Sequence, residues 1–345
     1  MIKVAVLGAT GYAGIELTRV LASHPEVEIK TLVSHSFAGK KLSEVYPNFN
    51  GVLDIVLEDL DVDKVINTCD VVFTALPHGA SKEVIPKLCQ GNIKVIDLSG
   101  DFRYDDPKVY EQWYGEPHSS PELLEKSVYG LPELHREDIK NTSLVGNPGC
   151  YTTCSILGLA PLVKNGLISL ENIIIDAKSG VTGAGRSTSL DYSFCECTEN
   201  MKAYKIATHR HTSEIEQELS NLAGEEITLS FTPHLVPLKR GIFATIYANL
   251  KEEKTAEELI NVYKEFYKGE YFVRVYDKGI PETNHVAGSN FVDIGLVVDK
   301  RLKRVVVCSA IDNIGKGAAM QAVQNMNILF GIDEKTGIQN AGFYL

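Results

Sequence analysis

The residues with the most chemistry in this chain stand together at Gly146-Asn147-Pro148-Gly149-Cys150, followed by Tyr151-Thr152-Thr153-Cys154. Leu144-Val145 ends a short apolar run of the kind that forms a strand. Asn147-Pro148-Gly149 then enforces a turn, since proline fixes φ and glycine tolerates conformations closed to other residues. From Cys154 to Val163 the chain is apolar and unbroken until Pro161, which predicts a buried helix. Cys150 therefore falls where the turn feeds a helix N-terminus. There the unpaired N–H groups and the helix dipole favour a thiolate over a thiol, the setting of a nucleophile. Cysteines outside disulfides are more often small buried apolar residues, and Cys69, Cys89, Cys154 and Cys308 read that way.

A thiolate nucleophile needs a group to move protons, and His209-Arg210-His211-Thr212 offers two. Two residues apart on an extended segment, the histidines would face opposite sides. His211 is nearer the helix expected from Ser213 to Leu222, whose N-terminus would lower its pKa and keep it a base near neutrality. Packing or capping that helix start is its structural alternative. Two further stretches can hold an anion. Lys178-Ser179-Gly180-Val181-Thr182-Gly183-Ala184-Gly185-Arg186 combines glycines, hydroxyls and an arginine. Arg103 follows Ser99-Gly100-Asp101-Phe102 at the end of an apolar run, with Asp101, Asp105 and Asp106 as competing ion-pair partners.

These groups need elements to position them. Residues 2–7 form a compact Val/Ile/Leu run, then Gly8-Ala9-Thr10-Gly11-Tyr12-Ala13-Gly14, then Ile15–Leu21 at helical spacing. Strand, glycine turn and helix in this order bring backbone N–H groups close to a pyrophosphate. The glycines sit at G-x-x-G-x-x-G rather than the commoner G-x-G-x-x-G. A second strand, Val27–Val33, ends at Ser34-His35-Ser36 with Gly39-Lys40-Lys41 beyond. Hydroxyls and cations there, where an NAD site carries Asp or Glu, favour the 2′-phosphate of NADP. Val71–Leu76 and Val95–Leu98 read as further parallel strands, and residues 104–140 as a long irregular excursion. After Cys150 come strands at Asn172–Ala177, Ile227–Thr232, Gly241–Leu250, Phe272–Val275, Phe291–Val298 and Arg304–Ala310. They suggest a largely antiparallel sheet, and a long last helix runs from Asp312 through Leu329.

With 345 residues the chain has room for two domains, and its composition, 44% hydrophobic and 23% charged, is that of a soluble globular protein. A net charge of −11 argues against nucleic-acid or anionic-membrane binding. No apolar stretch approaches a membrane span, and the N-terminus is no signal peptide. An odd cysteine count without secretory features suggests the cytoplasm. Neither Cys195-Glu196-Cys197 nor the Cys150/Cys154 pair has the usual zinc spacing, so no metal is expected. A dinucleotide domain, an activated cysteine and a histidine together point to one reaction class. The thiolate attacks an acyl carbon with phosphate as leaving group, and hydride transfer interconverts the thioester with an aldehyde.

The chain resembles the N-acetyl-γ-glutamyl-phosphate reductases, NADPH-dependent enzymes of arginine biosynthesis. The motifs are Gly-Ala-Thr-Gly-Tyr-Ala-Gly at 8–14, Leu-Ser-Gly-Asp-Phe-Arg at 98–103 and Gly-Asn-Pro-Gly-Cys-Tyr at 146–151. They continue with Ser-Gly-Val-Thr-Gly-Ala-Gly-Arg at 179–186, His-Arg-His-Thr at 209–212, and Asp312-Asn313 before Lys316-Gly317. Gly315 and Met320 depart from the pattern. The resemblance implies an α/β Rossmann-type parallel-sheet NADP domain, residues 1–147 and 313–345. It also implies a mixed or antiparallel-sheet catalytic domain of the semialdehyde dehydrogenase type, residues 148–312, in a homodimer or homotetramer. Cys150 is then the nucleophile and His211 the acid/base. Gly8, Thr10, Gly11, Tyr12, Ala13, Gly14, Ser34, His35, Ser179, Gly180 and Asn313 are assigned to the cofactor. Arg103, Asn147, Arg186 and His209 are assigned to a small acyl-phosphate substrate. Aspartate-β-semialdehyde dehydrogenase and an aminoadipyl-phosphate reductase are the enzyme alternatives. A non-catalytic NADP sensor would need neither Cys150 nor His211.

Overall fold

The computed structural model describes residues 1–186 and 188–344. The chain divides into two compact units, residues 1–148 with 318–339, and residues 149–317 with the C-terminal residues from Asn340. The later boundary falls at Ala318 rather than at 313. Asp312 and Asn313 are hydrogen-bonded to Gly288 and Gly241 of the second unit, and Phe343 to Ala287, which holds both stretches there.

In the first unit a six-stranded sheet has the order β2-β1-β3-β4-β6-β5. The strands are β1 (Ile2–Leu7), β2 (Val27–Val33), β3 (Val71–Thr74), β4 (Lys94–Asp97), β5 (Val128–Tyr129) and β6 (Leu144–Gly146). Every pairing is parallel. Val4 and Val6 are as fully buried as Ala5 and Leu7, as in a parallel sheet covered on both faces. The helices are α1 (Tyr12–Ala22), α2 (Leu42–Val45), α3 (Val62–Thr68), α4 (Ser81–Leu88), α5 (Pro107–Tyr114), α6 (Pro121–Leu124) and α7 (Pro132–Asn141), with a C-terminal helix at Met320–Leu329. The expected irregular excursion over 104–140 thus holds three helices and an edge strand. Each of the three begins on a proline, whose missing N–H costs nothing at a first helical position and whose φ is already set.

The second unit is built on a seven-stranded sheet in the order β11-β12-β13-β10-β7-β9-β8. Its strands are β7 (Ile174–Gly180), β8 (Lys202–Ala203), β9 (Ser230–Val236), β10 (Ile242–Asn249), β11 (Val273–Val275), β12 (Val292–Asp299) and β13 (Arg304–Ile311). The sheet is mixed and largely antiparallel: four of its six pairings are antiparallel, while β7 pairs with β9, and β11 with β12, in parallel. The helices are α8 (Cys150–Lys164), α9 (Phe194–Cys197), α10 (His211–Ala223) and α11 (Ala256–Phe266). Residues Tyr151 to Val163 of α8 are all buried, as in a helix enclosed by its neighbours on every side. It runs through Pro161, where a break was expected. Pro161 cannot donate to the Leu157 carbonyl four residues back, and the Tyr267 hydroxyl donates to it instead at 2.5 Å. The long last helix expected from Asp312 is a π-helical turn at Gly315–Ala319, then the helix from Met320.

Candidate active site

Cys150 is the first residue of α8, with Gly149 as N-cap in an extended conformation. Glycine has no side chain with which to cap, and the first turn contains no acidic residue. The missing cap comes from α10. The Gly149 N–H donates to Glu214 Oε1 at 2.9 Å, and the Thr152 hydroxyl lies 2.8 Å from the same oxygen. Gly317 closes in from another side. A Cβ there would lie 2.7 Å from the Cys150 Cβ, so only glycine fits. Cys150 itself is half-buried, whereas Cys154, one turn on, is fully buried and hydrogen-bonded to the Ser309 carbonyl. Burial pushes the Cys154 thiol up to about 12. No disulfide joins the described cysteines.

His211 opens α10 and is turned onto the start of α8, its Nε2 so near Gly149 that a Cβ on that residue would be 2.3 Å away. The expectation that His209 and His211 face opposite ways is overturned, since their ring centroids are 4.7 Å apart. The segment is not extended. Arg210 is helical (φ −58°, ψ −29°), and Lys205 and Ala207 have positive φ, so the chain coils and brings both rings to one side. Both pack edge-on against Tyr151, and His209 also against Tyr204. The His211 backbone N–H donates to His209 Nδ1 at 3.1 Å, so neutral His209 carries its proton on Nε2. Burial, reinforced by His211 alongside, pushes His209 down to about 2. His209 is therefore a neutral donor near pH 7.

At the far end of β7, Ser179, Gly180 and Asn313 come together. Asn313 accepts from the Gly241 N–H at 2.8 Å and donates to Thr182 Oγ1 at 2.9 Å, which fixes the Val181–Ala184 turn. Arg186 lies exposed just beyond it. Arg240, which the sequence reading did not single out, pairs with buried Asp312 at 3.1 Å. Nor did that reading give a role to Glu214, an acidic residue in the first turn of α10. Its spacing from His211, i to i+3, was the one available signal that both share a helix face.

In the first unit each glycine of the 8–14 loop has its own role. Gly8 has φ +80°, and a Cβ on it would lie 2.3 Å from the Ala75 carbonyl oxygen of the neighbouring strand end. A Cβ on Gly14 would lie 2.2 Å from the Gly8 oxygen, so helix and turn could not pack so closely. Gly11, the N-cap of α1, has only the Gly8 oxygen at 3.5 Å near its missing Cβ. That open cradle, with Tyr12, Ala13 and Gly14 presenting first-turn N–H groups, fits a pyrophosphate. The loop lies where strand order reverses between β2-β1 and β3, the crevice position of dinucleotide-binding sheets. Ser34 is buried, its hydroxyl 2.7 Å from that of Thr10, while His35 is solvent-exposed and 3.2 Å from Asp59. Asp101 accepts from the Gly79 N–H at 2.9 Å and the Lys82 N–H at 3.3 Å, which orders the loop after β3. Arg103 is buried and donates to the Leu98 carbonyl. Asn147 is also buried, its amide committed to the Ala318 carbonyl and to Asn325. Among the described residues no three His, Cys, Asp or Glu side chains cluster as metal ligands do, and no helix is long and apolar enough to cross a membrane.

Matches to known families fall on the same two stretches. Residues 3–142 match the family described as "Semialdehyde dehydrogenase, NAD binding domain", and residues 150–313 match "Semialdehyde dehydrogenase, dimerisation domain". The fold agrees. The chain superposes on aspartate semialdehyde dehydrogenase II from Vibrio cholerae with a TM-score of 0.73 at 19% identity, covering 96% of this chain and 99% of that one. It superposes equally on the Candida albicans enzyme solved with NADP (TM-score 0.73, 19% identity, 96% and 98% covered). The class is thus that of the semialdehyde dehydrogenases. Within it, the chain is 63% identical to the N-acetyl-gamma-glutamyl-phosphate reductase of Acetivibrio thermocellus and 54% identical to that of Desulforamulus reducens, with both chains covered in full in each case. This chain belongs to the N-acetyl-gamma-glutamyl-phosphate reductase family.

Proposed function

We propose that this chain reduces N-acetyl-L-glutamyl 5-phosphate to N-acetyl-L-glutamate 5-semialdehyde and phosphate, with NADPH as reductant, in the cytoplasmic synthesis of arginine. The observation that carries this reading is a cysteine at the first position of a buried helix, with a histidine nitrogen seated against the residue before it. His211 takes the thiol proton, and the Cys150 thiolate attacks the acyl carbon. A carbon–sulfur bond forms, the carbon–oxygen bond to phosphate breaks, and phosphate leaves with both electrons. A bound nicotinamide supplies the hydride that converts the thioester to the aldehyde level. When the carbon–sulfur bond breaks, the thiolate returns, and His211 shuttles the proton that balances the cycle.

Gly8, Thr10, Gly11, Tyr12, Ala13 and Gly14 hold the pyrophosphate in this reading, and Ser34 and His35 lie toward the adenine ribose. Ser179, Gly180 and Asn313 are assigned to the cofactor as well, and Arg103, Asn147, Arg186 and neutral His209 to the substrate. The sheet of the second unit supports a homodimer, alone or paired as a tetramer. Ile175 and Ala177 of β7 and Ala244 and Ile246 of β10 are buried, but the opposite face, with Ile174, Phe243, Thr245 and Tyr247, is only partly covered. The test is a steady-state assay in the oxidative direction with NADP, phosphate and competing semialdehydes. N-acetylglutamate semialdehyde should exceed aspartate semialdehyde in kcat/KM by about 10²-fold or more. The reverse order would overturn the substrate assignment.

A further inference from the structure

The helix Met320–Leu329 is buried on every side, yet four of its ten residues, Gln321, Gln324, Asn325 and Asn327, are amides with no exposed surface. Buried amides are tolerated when they are hydrogen-bonded. Gln324 and Asn327 bond to the chain that follows, at Glu334 and Thr336. Gln321 and Asn325 both donate to the Gly130 carbonyl, at 2.9 and 2.8 Å. Asn325 also donates to Asn147 Oδ1 at 3.0 Å, and Asn147 Nδ2 donates to the Ala318 carbonyl at 3.2 Å. Both ends of this series are backbone carbonyls, which only accept. The two amides between them therefore have a single orientation, since reversing either would set oxygen against oxygen. Asn325 Oδ1 itself is buried and finds no hydrogen-bond partner among the described residues, so the position requires the two N–H donors and bears a cost for them. We propose that Asn325 is a positioning residue for the nucleophile, acting through the side chain of Asn147.

The inference rests on Cys150 acting as the nucleophile. Asn147 stands three residues before it, and Pro148 between them fixes its own φ, so the turn has little slack. Gly317, next to Ala318, passes so near that a Cβ on it would lie 2.7 Å from the Cys150 Cβ. The Asn147 amide thus ties the turn that enters Cys150 to the stretch that runs alongside it. Main-chain bonds hold the start of that turn: the Asn147 N–H donates to the Asp97 carbonyl at 2.7 Å and the Gly130 N–H to the Gly146 carbonyl at 2.9 Å. What they leave adjustable is the Asn147 side chain, and Asn325 sets it. Without that donor Asn147 Oδ1 is buried and unpaired, and the amide turns away from Ala318 to find a partner.

Asn325→Leu keeps a branched side chain without its donors, and Gly130 retains its bond from Gln321. Gln321→Leu removes a donor to Gly130 from the same buried helix but leaves the Asn147 bonds in place. The experiment measures kcat, KM for NADP and the iodoacetamide alkylation rate of Cys150, read on its peptide by mass spectrometry. Each variant is made in the wild-type and in the Asn147→Ala background. Asn325→Leu should lower kcat by about 10-fold or more with KM for NADP nearly unchanged, as lost placement of the nucleophile requires. Alkylation of Cys150 should slow by about threefold or more, since a thiol displaced from a helix start is less ionised. Gln321→Leu should keep kcat within about twofold of wild type. In the Asn147→Ala background Asn325→Leu should cost almost nothing further, because the route it acts through is gone. Equal losses from Asn325→Leu and Gln321→Leu, or the same loss from Asn325→Leu with and without the Asn147 side chain, would overturn the proposal. If Asn325→Leu fails to fold, Asn325→Ser, which keeps one donor at smaller size, enters the same cycle. Turnover by Cys150→Ser would overturn the nucleophile reading instead, while the alkylation of Cys150 would still report the coupling of Asn325 to Asn147.

Discussion

Replacing Gly149 by alanine should separate the site's geometry from its stability. The backbone there, φ −69° and ψ 155°, is open to any residue, so the substitution introduces no conformational strain. The new methyl would lie 2.3 Å from His211 Nε2 and 2.8 Å from both neighbouring ring carbons, where ordinary contact begins at 3.4 Å. Something must move by about 1 Å. The imidazole is the far end of a side chain, so it swings before the two packed helix backbones part. A displacement of about 1 Å in a catalytic group costs about 10²-fold in rate, so kcat should fall about that much. Stability should change by no more than about 1 kcal/mol, a melting shift of a few degrees. The assay is kcat at saturating substrate beside a thermal melt and the alkylation rate of Cys150, which should persist. A Gly149→Ala variant with wild-type kcat would mean that the seating of His211 on Gly149 has no part in turnover. Collapse of the melt instead would show that the helices, not the ring, yield.

Cys150→Ser should abolish turnover while leaving NADP binding nearly intact, measured by fluorescence titration, because serine is far less ionised at the same size. Cys154→Ser, at a buried thiol already held up near 12, should alter the melt more than the rate. His211→Asn should lower kcat by about 10²–10⁴-fold, whereas His209→Asn should act mainly on KM, with pH–rate profiles showing which loses the near-neutral ionisation. His209 also makes stability depend on pH. It stays neutral in the fold but protonates in the unfolded chain below its ordinary value of 6.5, so stability falls with pH, by roughly 2 kcal/mol at pH 5. Denaturant titrations of His209→Asn should show a flatter acid limb. Ser34→Asp should erode the preference for NADP over NAD in kcat/KM, by repelling a 2′-phosphate and offering an acceptor to a ribose hydroxyl. Tyr267→Phe should cost about 1–3 kcal/mol in a melt, since it orphans the buried Leu157 carbonyl opposite Pro161.

Local signals carried the sequence reading a long way. Strand, glycine turn and helix at residues 2–22, and the turn feeding Cys150 into a helix, need no distant partner to be recognised, and both stand in the fold. What escaped depends on distant or unmarked contacts. α8 passes through Pro161 because a tyrosine more than a hundred residues later supplies the missing donor. The histidines converge because Lys205 and Ala207 adopt positive φ, which neither side chain advertises. The helices at 107–141 are short and polar and each starts on a proline, so the stretch looks irregular in the sequence. Glu214 looked like an ordinary first-turn acid, because its partner lies on another helix.

The chain path through the first unit also bears on how the protein is made. Its sheet is complete by Gly146, but the helix Met320–Leu329 that packs on it is translated only after residues 149–317. That helix supplies the Asn325 and Gln321 amides bonded to the Gly130 carbonyl and the Asn327 amide beside His24. At a ribosomal rate of about 5–20 residues per second, the roughly 170 intervening residues keep that sheet face waiting about 10–30 s. Nascent chains are thus most exposed to holding chaperones while the second unit is emerging. A stop codon between Gly146 and Ala318 leaves an apolar sheet without its cover, and so directs the truncated product to proteolysis rather than to a partly active enzyme.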